Sequence, residues 1–391
     1  MRWRILGLLF LARVGLGYQF QALGSVSRDL IGAFGLDYAA IGSLIGAFML
    51  PGLVTSLPAG FAGRYLSDRL LVAFGLGLLS LGGAMGALAG TYGMMSAARL
   101  VCGIGFVFST IYFAKMVADW FSGKEIATAM GVLVMSWPFG IAMGQIGHEW
   151  IAGAFTWRAA FAVASVYCAA AALGVLLLYR PPEATPAPAP GKIVLLTRRE
   201  TILTVAASLV WSFFNAGYVV YLSFAPVTLM AGGYAPLAAA AVVSLASWVM
   251  IASGATCGQV ADRTGRPDLV LYVCMAVAMG SLALLSKPQL AVGLSLAFGL
   301  VGMAPAGVIM ALSGAAMSAE RRALGMGLFF SVYFLIVAPA PVLAGWLYDR
   351  SGNPSDAILL AIALFGLTAA ANAVFRILQR TTRPEARAAT T

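Results

Sequence analysis

The chain has 391 residues, of which 61% are hydrophobic and only 10% charged, and its mean hydropathy is +0.93. A soluble domain with a solvated surface does not reach such values, so the composition describes an integral membrane protein. The formal charge of +10 therefore reports the sidedness of loops rather than an affinity for nucleic acid.

The first twenty residues, "MRWRILGLLFLARVGLGYQF", carry a basic start and a short apolar run in the manner of a secretory signal. Arg13 interrupts that run, and a similar segment recurs deep in the chain, so the stretch is read as the first membrane span. A spanning helix needs about 20 mostly apolar residues. Cutting the sequence at charges, Gly/Pro clusters and polar turns then predicts twelve: 5–25, 39–61, 70–90, 98–119, 128–150, 159–179, 202–226, 237–257, 268–286, 289–316, 324–346 and 356–377. Pro51, Pro138, Pro305, Pro339 and Pro341 mark expected bends. Between the sixth and seventh spans, "RPPEATPAPAPGKIVLLTRRE" is too rich in proline to pack as a helix. It separates an N-terminal bundle, 1–180, from a C-terminal bundle, 201–391, through a linker at 181–200.

With the N-terminus in the cytoplasm, most of the 24 lysines and arginines fall on that face. Only Arg28, Arg158, Lys287 and Arg350 lie on the other. This satisfies the positive-inside rule for an even number of spans with both termini cytoplasmic, as in a bacterial inner-membrane protein.

The two halves echo each other. Gly17-Tyr18 recurs as Gly217-Tyr218, and Met130-Gly131 as Met326-Gly327. The charged turn "GQVADRTGR", Gly258 to Arg266, has a weaker copy in "AGFAGRYLSDR", Ala59 to Arg69. A parallel duplication of six helices places a solute site between the halves near mid-membrane.

The turn Gly258-x-x-x-Asp262-Arg263-x-Gly265-Arg266 resembles the loop signature of the major facilitator superfamily. Three further pieces agree in order: Arg99-x-x-x-Gly103-x-Gly105, "SWPFGIAMG" at Ser136 to Gly144, and "TWRAAF" at Thr156 to Phe161. The resemblance covers essentially the whole chain. It implies an all-α fold of two pseudo-symmetric six-helix bundles and a transporter without enzymatic activity. It also implies gating by Gly258, Asp262, Arg263, Gly265 and Arg266, and by Arg64, Asp68 and Arg69 in the other half. The N-terminal copy departs from the pattern, with Gly63 in place of the acid and Leu66 in place of the later glycine, so either Asp68 substitutes from a shifted position or closure on that side relies on packing. "KMVADWFSGKEIATAMG", Lys115 to Gly131, resembles the cyanate, nitroimidazole and nitrate-porter branch. That branch's nitrate arginines inside the second and eighth spans are missing here.

An ionisable group inside a bilayer costs several kcal/mol, about 2.5–3.5 on insertion scales, and is a functional candidate for that reason. Arg13 lies about 12 Å into the first span. It is either the anchor of an anionic solute or a structural arginine bonded to backbone carbonyls. Lys115 sits four residues before Asp119, so the two form a candidate ion pair. Arg99 matches the superfamily's fourth-helix arginine and is assigned a conformational role, because no acid lies mid-span to exchange protons with it. His148, with Gln145 and Glu149, is expected near the outer membrane surface. Tyr18, Gln21, Ser109, Tyr112, Trp137, Asn215, Tyr218, Trp248 and Tyr333 supply hydrogen-bonding tips on apolar bodies. Since the family lines its cavity with spans one, four, seven and ten, Arg13, Tyr112, Asn215 and Tyr218 rank first. Cys102, Cys168, Cys257 and Cys274 show no paired or metal-ligand spacing.

No nucleotide-binding loop occurs, so transport must run on a gradient or on exchange. The expectation is a monomeric carrier of a small organic or inorganic anion, working by alternating access in a lipid bilayer, without cofactor, metal or nucleic acid and without obligatory proton coupling. Efflux of a drug or metabolite, or a non-transporting receptor on the same fold, is the alternative.

Overall fold

A computed structural model describes residues 2–63, 65–121, 125–182, 195–318 and 321–381. Among these the regular structure is entirely helical, with no strand. The membrane dictates this, because a helix satisfies every backbone N–H and C=O within itself.

Eleven stretches are long and apolar enough to cross a bilayer. The remaining expected span, the ninth, is the shorter apolar helix Pro267–Ala283, 17 residues, about 25 Å long. In chain order the helices are α1 (Arg2–Ser25), α2 (Ser27–Phe34), α3 (Tyr38–Met49), α4 (Gly52–Ala62), α5 (Asp68–Ala87), α6 (Tyr92–Trp120), α7 (Ile126–Ala154) and α8 (Trp157–Leu178). They continue as α9 (Arg198–Ala231), α10 (Pro236–Thr264), α11 (Pro267–Ala283), α12 (Ala291–Ala297), α13 (Ala306–Ala316), α14 (Arg322–Val337), α15 (Ala340–Ser351) and α16 (Pro354–Thr381).

Three spans expected as single helices are broken, each beside a proline named above. Pro51 parts α3 from α4, Pro339 parts α14 from α15, and a π-helical turn at Phe298–Gly302 followed by Pro305 parts α12 from α13. Proline supplies no N–H and crowds the carbonyl four residues back, which ends a helix or kinks it. The short helix α2 was not anticipated. It packs Ser27 and Leu30 inward and stops at Gly35, whose φ of 64° lies in the left-handed region.

Helix starts follow local chemistry. Thr91 and Thr156 accept from the N–H three residues on, and Thr197 with Glu200 forms a reciprocal capping box. At the end of α10, Gly265 adopts φ 63° and closes the helix through its N–H to Ala261 O.

Helices α1–α8 pack together through α5 on α6 and α8, and α1 on α7 and α8; α9–α16 pack around α9, which lies against α14 and α16. The two bundles meet along α3 with α15, α4 with α14, and α7 with α10. In lipid, helices associate by close packing rather than by expelling water, so small residues mark the contacts. At the α1–α7 crossing, Gly17 faces the Trp137 carbonyl and Gly140 faces the Val14 carbonyl.

Candidate functional site

Arg13 lies one turn from that crossing. Pro138, inside α7, cannot donate to Val134 O, so that carbonyl is left free. Arg13 Nη1 is 3.4 Å from it, 2.8 Å from Leu133 O and 2.9 Å from Ser136 Oγ. Ser136 Oγ in turn donates to Leu133 O at 2.6 Å. All three bonds use one nitrogen. Nε is buried with no partner, and among the described residues no carboxylate forms an ion pair with this guanidinium. The bonds to Leu133 O and Val134 O are those of the structural arginine bonded to backbone carbonyls.

Trp137, the next residue along α7, stands in an aromatic cluster. Its ring lies 5.4 Å from Phe20 and 5.1 Å from Phe106, and both of these touch Phe48. A second aromatic line runs Phe10–Phe139–Trp248 and crosses from one bundle to the other.

Arg99 is 1% exposed and fully committed. Nε donates to Leu44 O, Nη1 to Gln19 O and Nη2 to Phe20 O, and the cation sits 4.6 Å from the Phe48 ring centre. It ties α6 to α1 and α3, and among the described residues no acid pairs with it.

The other predicted site residues are dispersed. Tyr112 is buried and donates to Ala59 O at 2.6 Å, which docks α6 on α4. Ser109 is buried against Gly75, its Oγ unpartnered. Gln21 donates to Ser25 Oγ at 3.4 Å. Tyr218 OH meets Ser247 Oγ at 2.8 Å inside the second bundle. Asn215 bonds back to Trp211 O within its own helix. Tyr333 packs on Phe330 and Phe334. Arg13, Trp137 and Trp248 belong to the α1–α7–α10 region, whereas Tyr112 and Ser109 lie inside the first bundle.

His148, toward the outer end of α7, is fully buried, its ring 4.1 Å from that of Tyr18 and Nε2 3.0 Å from Tyr18 O. The α1–α7 contact covers it. Cys102, Cys168, Cys257 and Cys274 are all buried and free of disulfides.

Among the gating candidates, Asp68 begins α5 and binds Lys115 Nζ at 2.5 Å; Lys115 also binds Asp119 at 2.9 Å. The shifted acid is therefore bridged to the expected ion pair. Arg69, Asp262, Arg263 and Arg266 are exposed. Gly258 and Gly265 lie on the same end of α10, Gly265 as its cap. Arg64 lies outside the described residues.

Sequence reasoning missed the bonds between bundles. Call the end of the molecule that bears the termini inner and the opposite end outer. At the outer end, Asp349 of α15 accepts from Tyr38 N at 2.9 Å and Ala39 N at 2.7 Å, and the Tyr38 and Tyr348 ring centres are 4.2 Å apart. Deeper in the outer half, Gln145 Nε2 donates to Leu222 O, the carbonyl released by Pro226. Gly42, Gly46 and Gly345 lie so close to the Pro341, Ala338 and Tyr38 carbonyls that a Cβ at any of them would overlap backbone. A second missed cluster joins Glu200, at the start of α9, to Ser318 N and Arg321 at 3.1 Å each. For Asp349 and Glu200 the sequence signal was an acid at a helix end; Gln145 and the glycines carried none.

A family model described as the Major Facilitator Superfamily matches residues 9–330. The chain is 26% identical over 391 residues to the 3-(3-hydroxy-phenyl)propionate transporter of Escherichia coli (strain K12), a match covering 97% of this chain and 94% of that protein. It is 27% identical over 173 residues to a probable galactarate/D-glucarate transporter of Bacillus subtilis (strain 168), covering 42% of this chain and 38% of that one. A bacterial homolog of the human lysosomal transporter Spinster, solved inward-facing and unoccupied, superimposes with a TM-score of 0.77 at 16% identity over 97% of each chain. The nucleoside transporter NupG does so with 0.74 at 15% identity, over 96% of this chain and 99% of that one. At those identities the superpositions speak to fold alone.

Proposed function

The chain belongs to the major facilitator superfamily, and from that premise we propose that this transporter takes up a small organic acid, holding its carboxylate at Arg13. Membership makes it a transporter and not an enzyme. The observation that carries the finer reading is Arg13, a guanidinium within a span that has no acidic partner among the described residues and an unpartnered Nε. A carboxylate supplies the missing charge and acceptors. Trp137, next along α7 to the Ser136 that binds Arg13, and the Phe106 ring it packs on supply an aromatic surface for the rest of the solute.

The relatives favour the organic side of the expectation over the cyanate and nitrate side. One carries an aryl-propionate in its name and the other two sugar diacids. An aromatic surface together with a single cation suits an aryl monocarboxylate better than a polyhydroxylated diacid.

The bundles 1–180 and 201–391, joined on the cytoplasmic face by a linker at 181–200 of which 183–194 lie outside the described residues, rock about the site, so that it opens to one side at a time. The contacts at the outer end belong to a state closed on that side. Both termini are cytoplasmic, the working unit is a monomer in a bacterial inner membrane, and transport needs no obligatory proton.

The test is uptake into sealed liposomes holding the purified protein, with radiolabelled aryl-propionates, short monocarboxylates, sugar diacids, nitrate and cyanate as solutes. Saturable uptake of a carboxylate, competed by other carboxylates but not by the corresponding amides, supports the reading. Transport of neutral solutes in preference to carboxylates, or binding of carboxylates without transport, rejects it.

A further inference from the structure

The start of α3 has a donor account that closes only across the two bundles. The first N–H groups of a helix lack partners within it. Here Asp37 caps the helix and accepts from Ala40 N at 2.7 Å, while Ile41 N bonds Asp37 O. Tyr38 N and Ala39 N are left over. Both are taken by one carboxylate, Oδ1 and Oδ2 of Asp349, from the last turn of α15.

We propose that Asp349 is the outer latch of this transporter: a carboxylate that caps helix α3 from the opposite bundle and must let go whenever the outer side opens. An anion facing a helix N-terminus meets both free N–H groups and the positive end of the helix dipole. The three glycines along the same seam, Gly42, Gly46 and Gly345, let the two backbones come together. The glycines set the distance, and Asp349 holds it. When the bundles separate, both N–H groups and the carboxylate pass to water, so the bond contributes only to the outward-closed state. The latch rests on the alternating-access reading given above but not on the identity of the solute.

The experiment reports opening directly. Ala338, whose backbone meets Gly46 at the seam and which is 6% exposed, is replaced by cysteine in a protein whose four native cysteines are serine. The rate of labelling by a membrane-impermeant maleimide from the outer side is then measured in oriented vesicles. Asp349→Asn removes the charge and one acceptor and is expected to raise the rate about fivefold, a charge-assisted pair discounted for its exposure. Gly46→Val props the seam open by overlap and serves as the positive control.

A pairing test separates the latch from a general loosening. Asp37 is extended, with ψ 174°, so a proline at position 38 fits the first helical position while deleting one of the two N–H groups. The gain from Asp349→Asn should keep its full size in a Tyr38→Ala background and fall to half or less with Tyr38→Pro. Equal gains in both backgrounds, or a wild-type labelling rate for Asp349→Asn while Gly46→Val labels fast, overturn the latch. Failure of every variant, the control included, to label removes the rocking motion itself and the latch with it.

Discussion

Gly140→Ala perturbs the α1–α7 crossing on which the presentation of Arg13 depends. A Cβ at 140 would overlap Val14 O and stand 2.9 Å from Tyr18 N. Carbon contacts are most favourable near 3.5–4.0 Å, so the helices must part by about 1 Å. Overpacking of this kind costs about 1–3 kcal/mol. The bonds of Arg13 Nη1 to Leu133 O and Ser136 Oγ, 2.8 and 2.9 Å, lie one turn away, and the same displacement carries them past the range of a useful hydrogen bond. A guanidinium released from α7 loses its aim, and a weakening of about 1.4 kcal/mol in carboxylate binding is a tenfold rise in the half-saturation concentration. The assay pairs thermal unfolding in detergent with initial uptake rates in liposomes. Gly131→Ala and Gly153→Ala, on the same helix with nothing within 4 Å of the added carbon, are the controls, and alanine's helix propensity makes them neutral or slightly stabilising. A Gly140→Ala protein with wild-type unfolding temperature and wild-type half-saturation would refute both the tight crossing and its link to Arg13.

Arg13→Ala is expected to abolish carboxylate uptake, whereas Arg13→Lys keeps the charge but not the planar donor set and should raise the half-saturation concentration about tenfold or more; uptake at the wild-type rate by the alanine variant would reject the role. Arg99→Leu strips donors from Gln19 O, Phe20 O and Leu44 O and should cost at least about 3 kcal/mol, read as a large fall in unfolding temperature in the absence of any solute. Lys115→Met leaves Asp68 and Asp119 facing each other; the loss, about 1 kcal/mol at this partly exposed site, should be recovered by adding Asp68→Asn, since residues in contact are not additive. Because Asp262 is exposed, Asp262→Asn should slow turnover while leaving solute binding unchanged, and an equal loss of both would assign it to folding instead.

The membrane spans were legible because the signal for them is local: each helix satisfies its own backbone, and its apolar run is priced residue by residue against lipid. The breaks at Pro51, Pro305 and Pro339 were legible for the same reason, since a missing N–H acts within one turn. The short ninth span was harder to bound, as Pro267 and the residues after Ala283 end it by geometry rather than polarity. Helix α2 escaped notice because eight residues carry too little hydrophobic pattern to stand out.

At the candidate site the residue types were legible and their partners were not. Arg13 was conspicuous as a charge in an apolar run, and Lys115 with Asp119 as an i,i+4 pair. That Pro138 frees a carbonyl for Arg13, that Asp68 completes a bridge with Lys115, and that His148 is sealed under Tyr18 depends on which helix faces lie together.

The sequence by itself determined the solvent of this protein and its all-helical, multi-span class, because both follow from transfer energies summed along the chain. Only the tertiary structure decided that Asp349 caps α3, that Gln145 reaches Leu222 O and that three glycines bring the bundles into contact at the outer end. Those contacts join residues some 80 to 310 positions apart, and the hydrogen-bonding groups concerned look alike along the chain until the packing of helices selects which of them meet.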